Sequence, residues 1–401
     1  MARGFLRAVA AVAALVAAAA PLRAQVAADT ARGPRDTRYW SFFLLPLPTF
    51  NTIEGLGISV VGGWAFPSKP GPIPRGISIT PVGHASWSGT RGIGLVVDAP
   101  GRWPGWRFLA EGMAERWQRM PYFGIGNASV YSDSLFDRYG DEYYAYSLSR
   151  LSGVAAIQRD LPGPFRLHLG AQWRRYGARP LDEDTSLLGE EVAAGLPRDT
   201  GAYSGAEVRA GLILDTRDEE ASPSRGLLLE AMAVRALPSA GDLDYRRYLL
   251  SAKTYVPLSW TTSLTFRQTV ELSEGHVPHF VAQERLTTWL PEDFFGSPTT
   301  LRVNLLGRWV GANTALASVD IRYKHWDYPV TETAPIRLWL LLFADAARMW
   351  GDGEEFAWRH WHTGYGTGVR LQFSRGSIFG LDLGWNPDAG ISFATAFSFG
   401  Y

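Results

Sequence analysis

From Tyr39 onward the chain alternates apolar and polar residues with a period of two. In FRLHLGAQWRR, residues 165–175, Phe165, Leu167, Leu169, Ala171 and Trp173 share one face, and Arg166, His168, Gln172 and Arg174 share the other. In TTSLTFRQTVE, residues 261–271, Leu264, Phe266 and Val270 oppose Thr265, Arg267, Thr269 and Glu271. Arg107, Glu111 and Glu115 likewise oppose Trp106, Phe108 and Ala110. Such segments are strands with one face in apolar and one in polar surroundings. A soluble sandwich would meet that description, but two features favour a barrel in lipid. The polar faces carry large charged residues of both signs in strand after strand, as a wet, ion-paired lumen would. The apolar faces place Trp, Tyr or Phe near segment ends, at interface depth. A closed barrel is also the one sheet that leaves no open edge in hydrocarbon.

The pattern predicts an all-β fold, a transmembrane antiparallel β-barrel of about sixteen strands. They fall near 39–50, 55–66, 76–87, 91–98, 106–117, 143–158, 165–176, 203–215, 225–236, 246–256, 261–273, 314–325, 336–348, 364–373, 378–386 and 390–401. The first is interrupted by Pro46 and Pro48, and an even count argues for keeping it. With both ends in the periplasm, the turns at LPGP, PLSW and SRGS face inward to the cell. The long connections at 118–142, 177–202, 274–313 and 349–363 face outward, which is the bacterial arrangement. The final segment, ISFATAFSFGY, sets Ile391, Phe393, Phe397, Phe399 and Tyr401 on one face, and Phe399 and Tyr401 form a C-terminal strand signal.

The first residues, MARGFLRAVAAVAALVAAAAPLRAQ, have a basic start, an apolar run to Ala20 and a plausible cleavage site at Leu22-Arg23-Ala24. Residues 1–24 read as a signal peptide, 25–38 as a polar linker and 39–401 as the barrel. No later stretch has the apolar length of a transmembrane helix. Lys+Arg and Asp+Glu both total 39, and the balanced charge argues against a nucleic-acid partner. There are no cysteines, so disulfides, thiolate metal sites and cysteine nucleophiles are excluded.

Three stretches carry a family likeness. GLILDTRDEEASPSRG contains Asp215, Arg217, Asp218, Pro223 and Gly226 in the order of a D-x-R-D…P…G turn. LRVNLLGRWVGANTALASVDIRY places Arg302 at the tip of a long connection, and LFADAARMW follows on a later strand. Together they resemble the barrel domain of the BamA/TamA-type outer-membrane assembly family, the bacterial surface antigen proteins. The departures are Val303 and Asn304 after Arg302, where the family has Gly and an aromatic, and Ala347, where it has Gly. The resemblance implies a barrel whose sixth outer loop folds into the lumen and whose loop-tip arginine contacts the wall. Members that insert or secrete proteins carry soluble periplasmic repeats ahead of the barrel, and here only residues 25–38 separate the leader from the first strand. The expected partners are therefore outer-membrane lipid, unfolded outer-membrane protein clients and a separate periplasmic protein, around a monomeric barrel.

Alternation gives Arg302 specific partners. Leu316, Ser318, Asp320, Arg322 and Lys324 share the lumen face of one strand, and Arg337, Leu341 and Asp345 share that of the next. A guanidinium delivered between two carboxylates pairs strongly where water is scarce. Arg302 is thus expected to bridge to Asp320, Asp345 or both, against the alternative of a solvated loop arginine.

No constellation of residues supports catalysis, a cofactor or a metal. Serines lack a G-x-S-x-G elbow. HWH at 360–362 reads as an aromatic outer loop, and GYGTG at 364–368 as small residues on a curved strand. The acidic groups at 182–184 and 190–191 read as solvated surface. The leading reading is a non-enzymatic outer-membrane barrel similar to the insertion and translocation barrels. The alternatives are a porin-like passive channel and a surface-exposed structural or adhesive barrel.

Overall fold

A computed structural model describes residues 41–398, apart from 52–54, 67–75, 141, 183–184, 221, 290–291, 294–299, 332–333, 352, 375–376 and 389. The expected leader 1–24, the linker 25–38, Phe399 and Tyr401 lie outside the described residues. Sixteen strands form one antiparallel sheet in chain order. They are β1 (Ser41–Asn51), β2 (Gly55–Phe66), β3 (Ile77–Ser86), β4 (Arg91–Trp103), β5 (Trp106–Pro121), β6 (Ala145–Asp160), β7 (Phe165–Pro180), β8 (Gly201–Asp215), β9 (Gly226–Leu237), β10 (Asp244–Pro257), β11 (Thr262–His276), β14 (Asn313–Thr331), β15 (Ala334–Trp350), β16 (His362–Ser374), β17 (Ser377–Asn386) and β18 (Gly390–Ser398). β12 (Glu284–Arg285) and β13 (Glu292–Asp293) make a small ladder inside the connection from β11 to β14. Apart from β11 and β14, which flank that small ladder, each neighbour in the sheet is also the next strand in sequence, so the wall is built of successive hairpins.

Each strand expected from alternation is present, and several run further. β5 continues to Pro121 and β7 to Pro180, beyond the lipid-patterned part. β1 spans both prolines, with Pro46 opposite Val60 and Pro48 opposite Ile58. The two faces separate as the alternation requires. On β7, Leu167, Leu169 and Trp173 are exposed, while His168, Gln172, Arg174 and Tyr176 are buried. Polar and ionic side chains form the interior, and apolar ones meet the surroundings, the inverse of a soluble core.

Among the described residues the outer connections carry three short α-helices, α1 (Asp133–Tyr139), α2 (Leu187–Ala193) and α3 (His279–Ala282), and one 3-10 turn at Pro238–Ala240. α2 begins at Ser186, whose hydroxyl accepts the Gly189 N–H at 3.2 Å. Such short helices depend on packing for their stability. Phe280 and Val281 of α3 join Met120, Tyr122, Tyr146 and Tyr176 in an apolar cluster that fills the outer half of the interior. Phe123, Tyr143, Tyr144 and their neighbours cap it. The acidic residues of α2 are engaged there rather than simply solvated. Glu191 accepts from Tyr122 at 2.5 Å and Arg198 at 2.6 Å, and Glu190 accepts from Tyr143 at 2.9 Å.

Candidate functional site

The described part of the connection 277–312 between β11 and β14 turns inward and is tied to the wall most heavily at two places, with Thr288 bonding Glu230 and Gln158 in addition. The deeper is its tip. Arg302 donates from its backbone N–H and from Nε to Asp345 Oδ2, at 2.9 and 2.8 Å. Its Nη2 donates to Asp345 Oδ1 and to Asp320 Oδ1, both at 2.6 Å. Alternation places these carboxylates inward on β15 and β14. The Ser318 hydroxyl also donates to Asp345. The guanidinium lies 4.1 Å from the Phe343 ring centroid, a cation–π contact on the same wall. Arg302 and Asp345 are buried, so the charges are neutralised where water is scarce.

Room for this tip comes from the adjacent strand, where Gly364 of β16 pairs directly with Asp345 of β15. A Cβ at Gly364 would lie 2.8 Å from the Arg302 carbonyl oxygen and 3.1 Å from Asn304 Nδ2. The glycines of GYGTG therefore have a packing reason at Gly364: the loop backbone occupies the space of a side chain. Val303, buried and with φ of 57°, packs on Leu341 and Phe343. Its carbonyl accepts from Asn386 of β17. A non-glycine residue in the left-handed region is strained, and here contacts on several strands hold it.

The second tie is Glu284, which lies in a loop where alternation assigns no face. Arg150 of β6 donates to it at 2.7 Å and Tyr176 of β7 at 2.9 Å, and Arg174 of β7 lies 2.8 Å away. Arg247 of β10 donates to the Glu284 carbonyl at 2.8 Å and to Glu271 of β11 at 2.7 Å. The next residue, Arg285, donates to Thr314 of β14 at 2.8 Å. The sequence signal is a charged pair, Glu284-Arg285, one residue after the apolar HFVA; charge inside a buried segment demands partners. One loop can reach β6, β7, β10, β14, β15 and β17 only if the sheet is rolled around it.

The turn 216–225 enters from the opposite, periplasmic end. Arg217 clamps Asp215 with two parallel bonds of 2.9 and 2.8 Å. Asp218 caps the turn by accepting the N–H groups of Glu219, Ser224 and Arg225 at 3.0, 3.0 and 3.2 Å. Burial works to raise its carboxyl pKa, but the bonds from Ser224 and the backbone outweigh that and hold it below the usual range. Gly226 has φ of 114° and abuts the Thr216 carbonyl, so a side chain has no place there. Pro223 is buried and its carbonyl accepts from Arg322 at 3.4 Å.

The acidic residues of this turn cross the mouth. Glu219 accepts from Arg337 of β15 at 2.9 Å, Glu220 from Arg107 of β5 at 2.5 Å, and Ser222 donates to Gln372 of β16 at 2.9 Å. A hairpin turn leaving β8 and β9 is thus pinned to strands on both sides of the barrel.

No metal centre arises among the described residues. His362 stacks on Trp309 with centroids 3.4 Å apart and bonds the Asn127 carbonyl at 3.1 Å, so the last histidine of HWH is packed into the outer cap, while His360 is exposed.

A model of the Omp85 superfamily domain matches residues 119–400. Among solved structures, BamA from Haemophilus ducreyi lacking POTRA domains 1–3 is similar, with a TM-score of 0.56 and 14% identity over 91% of this chain and 70% of that one. CdiB from Escherichia coli aligns with a TM-score of 0.54 and 10% identity, over 92% of this chain and 63% of that one. CdiB from Acinetobacter baumannii gives 0.50 and 10%, over 90% and 60%. This chain thus spans less than two thirds of either CdiB chain. No curated protein matches the sequence.

Proposed function

Because the chain belongs to the Omp85 superfamily, and so is an integral outer-membrane β-barrel, we propose that it inserts or translocates proteins rather than passing solutes. Residues 1–24 serve as its cleaved export signal, 25–38 as a linker, and 39–401 as a monomeric, non-catalytic barrel. Its clients are unfolded outer-membrane proteins, and a separate periplasmic protein assists in delivering them. The observation that carries the reading is the occupied lumen. The loop 277–312, held by Arg302 and Glu284, fills the space a porin-like channel would leave open.

The working part is the edge of β1. Pro46 and Pro48 lack N–H groups, and residues two apart point their backbone groups to the same side of a strand. Proline is tolerated in a sheet where its missing donor faces away from the ladder. That supports a β1 edge poor in donors toward β18, a seam that a client strand can enter.

A photoreactive amino acid at Leu44, an exposed position on β1, tests this in the intact cell envelope. The expected products are crosslinks to newly exported outer-membrane proteins. Crosslinks to lipid alone, under conditions where such proteins are being assembled, would overturn the reading.

A further inference from the structure

Outer loop 351–361 carries aromatic rings that face away from the barrel. Trp350 and Phe356 meet edge-to-face at 5.0 Å, Phe356 and Trp358 at 5.1 Å, and Trp358 and Trp361 lie nearly parallel at 6.4 Å. Trp358 is 84% exposed and Phe356 39%. A contiguous exposed aromatic patch of this kind marks an interaction surface.

Its direction follows from strand parity. On β15, Leu342, Ala344 and Ala346 face outward, and Arg348 and Trp350 continue that face. Yet Arg348 is buried. Its guanidinium donates to the Arg359 carbonyl at 2.7 Å and to Glu354 at 2.8 Å, so the loop folds over the outer side of the wall. The loop is also braced. Gly351 and Glu354 exchange two backbone bonds of 3.0 Å, and Asn127 donates to the His360 carbonyl at 2.9 Å. His360 has φ of 60°, a strained conformation held next to Trp361.

Its height follows from the register. Tyr365 and Trp385 pair across β16 and β17 and face outward, an aromatic girdle at the edge of the hydrocarbon. Tyr365 lies opposite Ala344, six residues before Trp350. At about 3.3 Å per residue and a tilt of about 40°, the aromatic ledge stands roughly 15 Å above the girdle. That is above the acyl chains and beyond the phospholipid headgroup layer of about 5–8 Å, at the depth that the extended sugar headgroups of a glycolipid occupy.

We propose that loop segment 353–361 binds the sugar headgroup of a glycolipid in the outer leaflet, with Trp358, Trp361 and Phe356 stacking on its pyranose rings. The face of an aromatic ring is electron-rich and suits the C–H hydrogens on a pyranose face. Glu355, Arg359 and His360 flank the rings and are exposed for hydroxyl and phosphate contacts, while Glu354 is taken by Arg348. The proposal rests on the outer-membrane placement, which insertion into plain phospholipid vesicles tests separately.

The test uses the full chain folded in detergent and lipopolysaccharide truncated to its inner core as probe, with retention read by native mass spectrometry. Wild type should retain the probe in preference to phosphatidylglycerol. Trp358→Ala combined with Trp361→Ala should weaken retention about tenfold. Trp358→Ala alone alters only an exposed ring, so its folding is secure; it should show a smaller loss, restored by Trp358→Phe. Equal retention by wild type and Trp358→Ala, or no preference of wild type for the glycolipid, would overturn the proposal.

Discussion

Arg302 gives Asp345 three hydrogen bonds and Asp320 one, and the two carboxylates differ in burial as well. The Asp345 side chain is fully enclosed, whereas that of Asp320 is 20% exposed. Breaking a buried pair strands a charge at a cost of roughly 3–5 kcal/mol, whereas a wetter pair is worth about 1 kcal/mol or less. Arg302→Ala and Asp345→Asn should therefore destabilise the folded barrel far more than Asp320→Asn. Urea unfolding in vesicles measures the order, and equal effects of the two asparagine variants would contradict the geometry. Arg302→Lys should fall on the severe side, because a single ammonium cannot reproduce the planar fork. Both partners of Arg302 were legible in the sequence, because alternation fixes which residues point inward. Glu284 was not, because a loop has no period and its partners come from strands far apart in the chain.

Among the elements, the outer loop before β8 is joined to the lumen loop through Asp199. His276 lies 2.6 Å from one of its oxygens, and the His279 N–H donates to the other at 3.2 Å. Burial works to raise the Asp199 pKa, but His279 and His276 outweigh it and lower it to about 2 from 3.8. A depressed carboxyl stabilises the docked loop above the ordinary pKa and loses that contribution as pH falls through the folded value. The carboxylate's contribution to docking should thus be full above about pH 4 and fade between roughly pH 4 and 2. Hydrogen exchange at the His279 amide, corrected for intrinsic rate, reports it, and Asp199→Asn should remove the dependence. The wall strands were legible throughout, since lipid on one side and ion pairs on the other enforce a strict period. Their outer extensions were not. Beyond the girdle the outward face leaves lipid, and β5 and β7 continue without an apolar pattern to announce them. The short helices α1 to α3 escaped for a related reason, since packing on neighbouring loops and not local propensity sustains them.

The whole barrel is stoppered from both ends, by the loop 277–312 from outside and the turn 216–225 from the periplasm. The two meet at Arg107, which bonds Glu220 of the turn and lies 4.2 Å from the Trp289 ring of the loop, but the loop's anchors at Arg302 and Glu284 bond other wall residues, so the outer stopper should hold when the turn is loosened. Wild type should show small, irregular currents in planar bilayers. Glu219→Gln with Glu220→Gln, which weakens the bonds to Arg337 and Arg107, should change this little. Adding Arg302→Ala and Glu284→Ala should open large steady conductances. A large current from the periplasmic pair alone would show that the outer loop is not a seal.

The close approach of Gly364 to the Arg302 carbonyl has a consequence for how this lineage can vary. Positions on two separate elements occupy a single space, so neither is free to drift alone. A descendant that gains a methyl at 364 must first withdraw or reshape its loop tip, and one that loses the tip releases 364 to any small residue. Inheritance at the glycine is thereby tied to inheritance at the arginine, and a barrel that had given up the strut would show it first on β16.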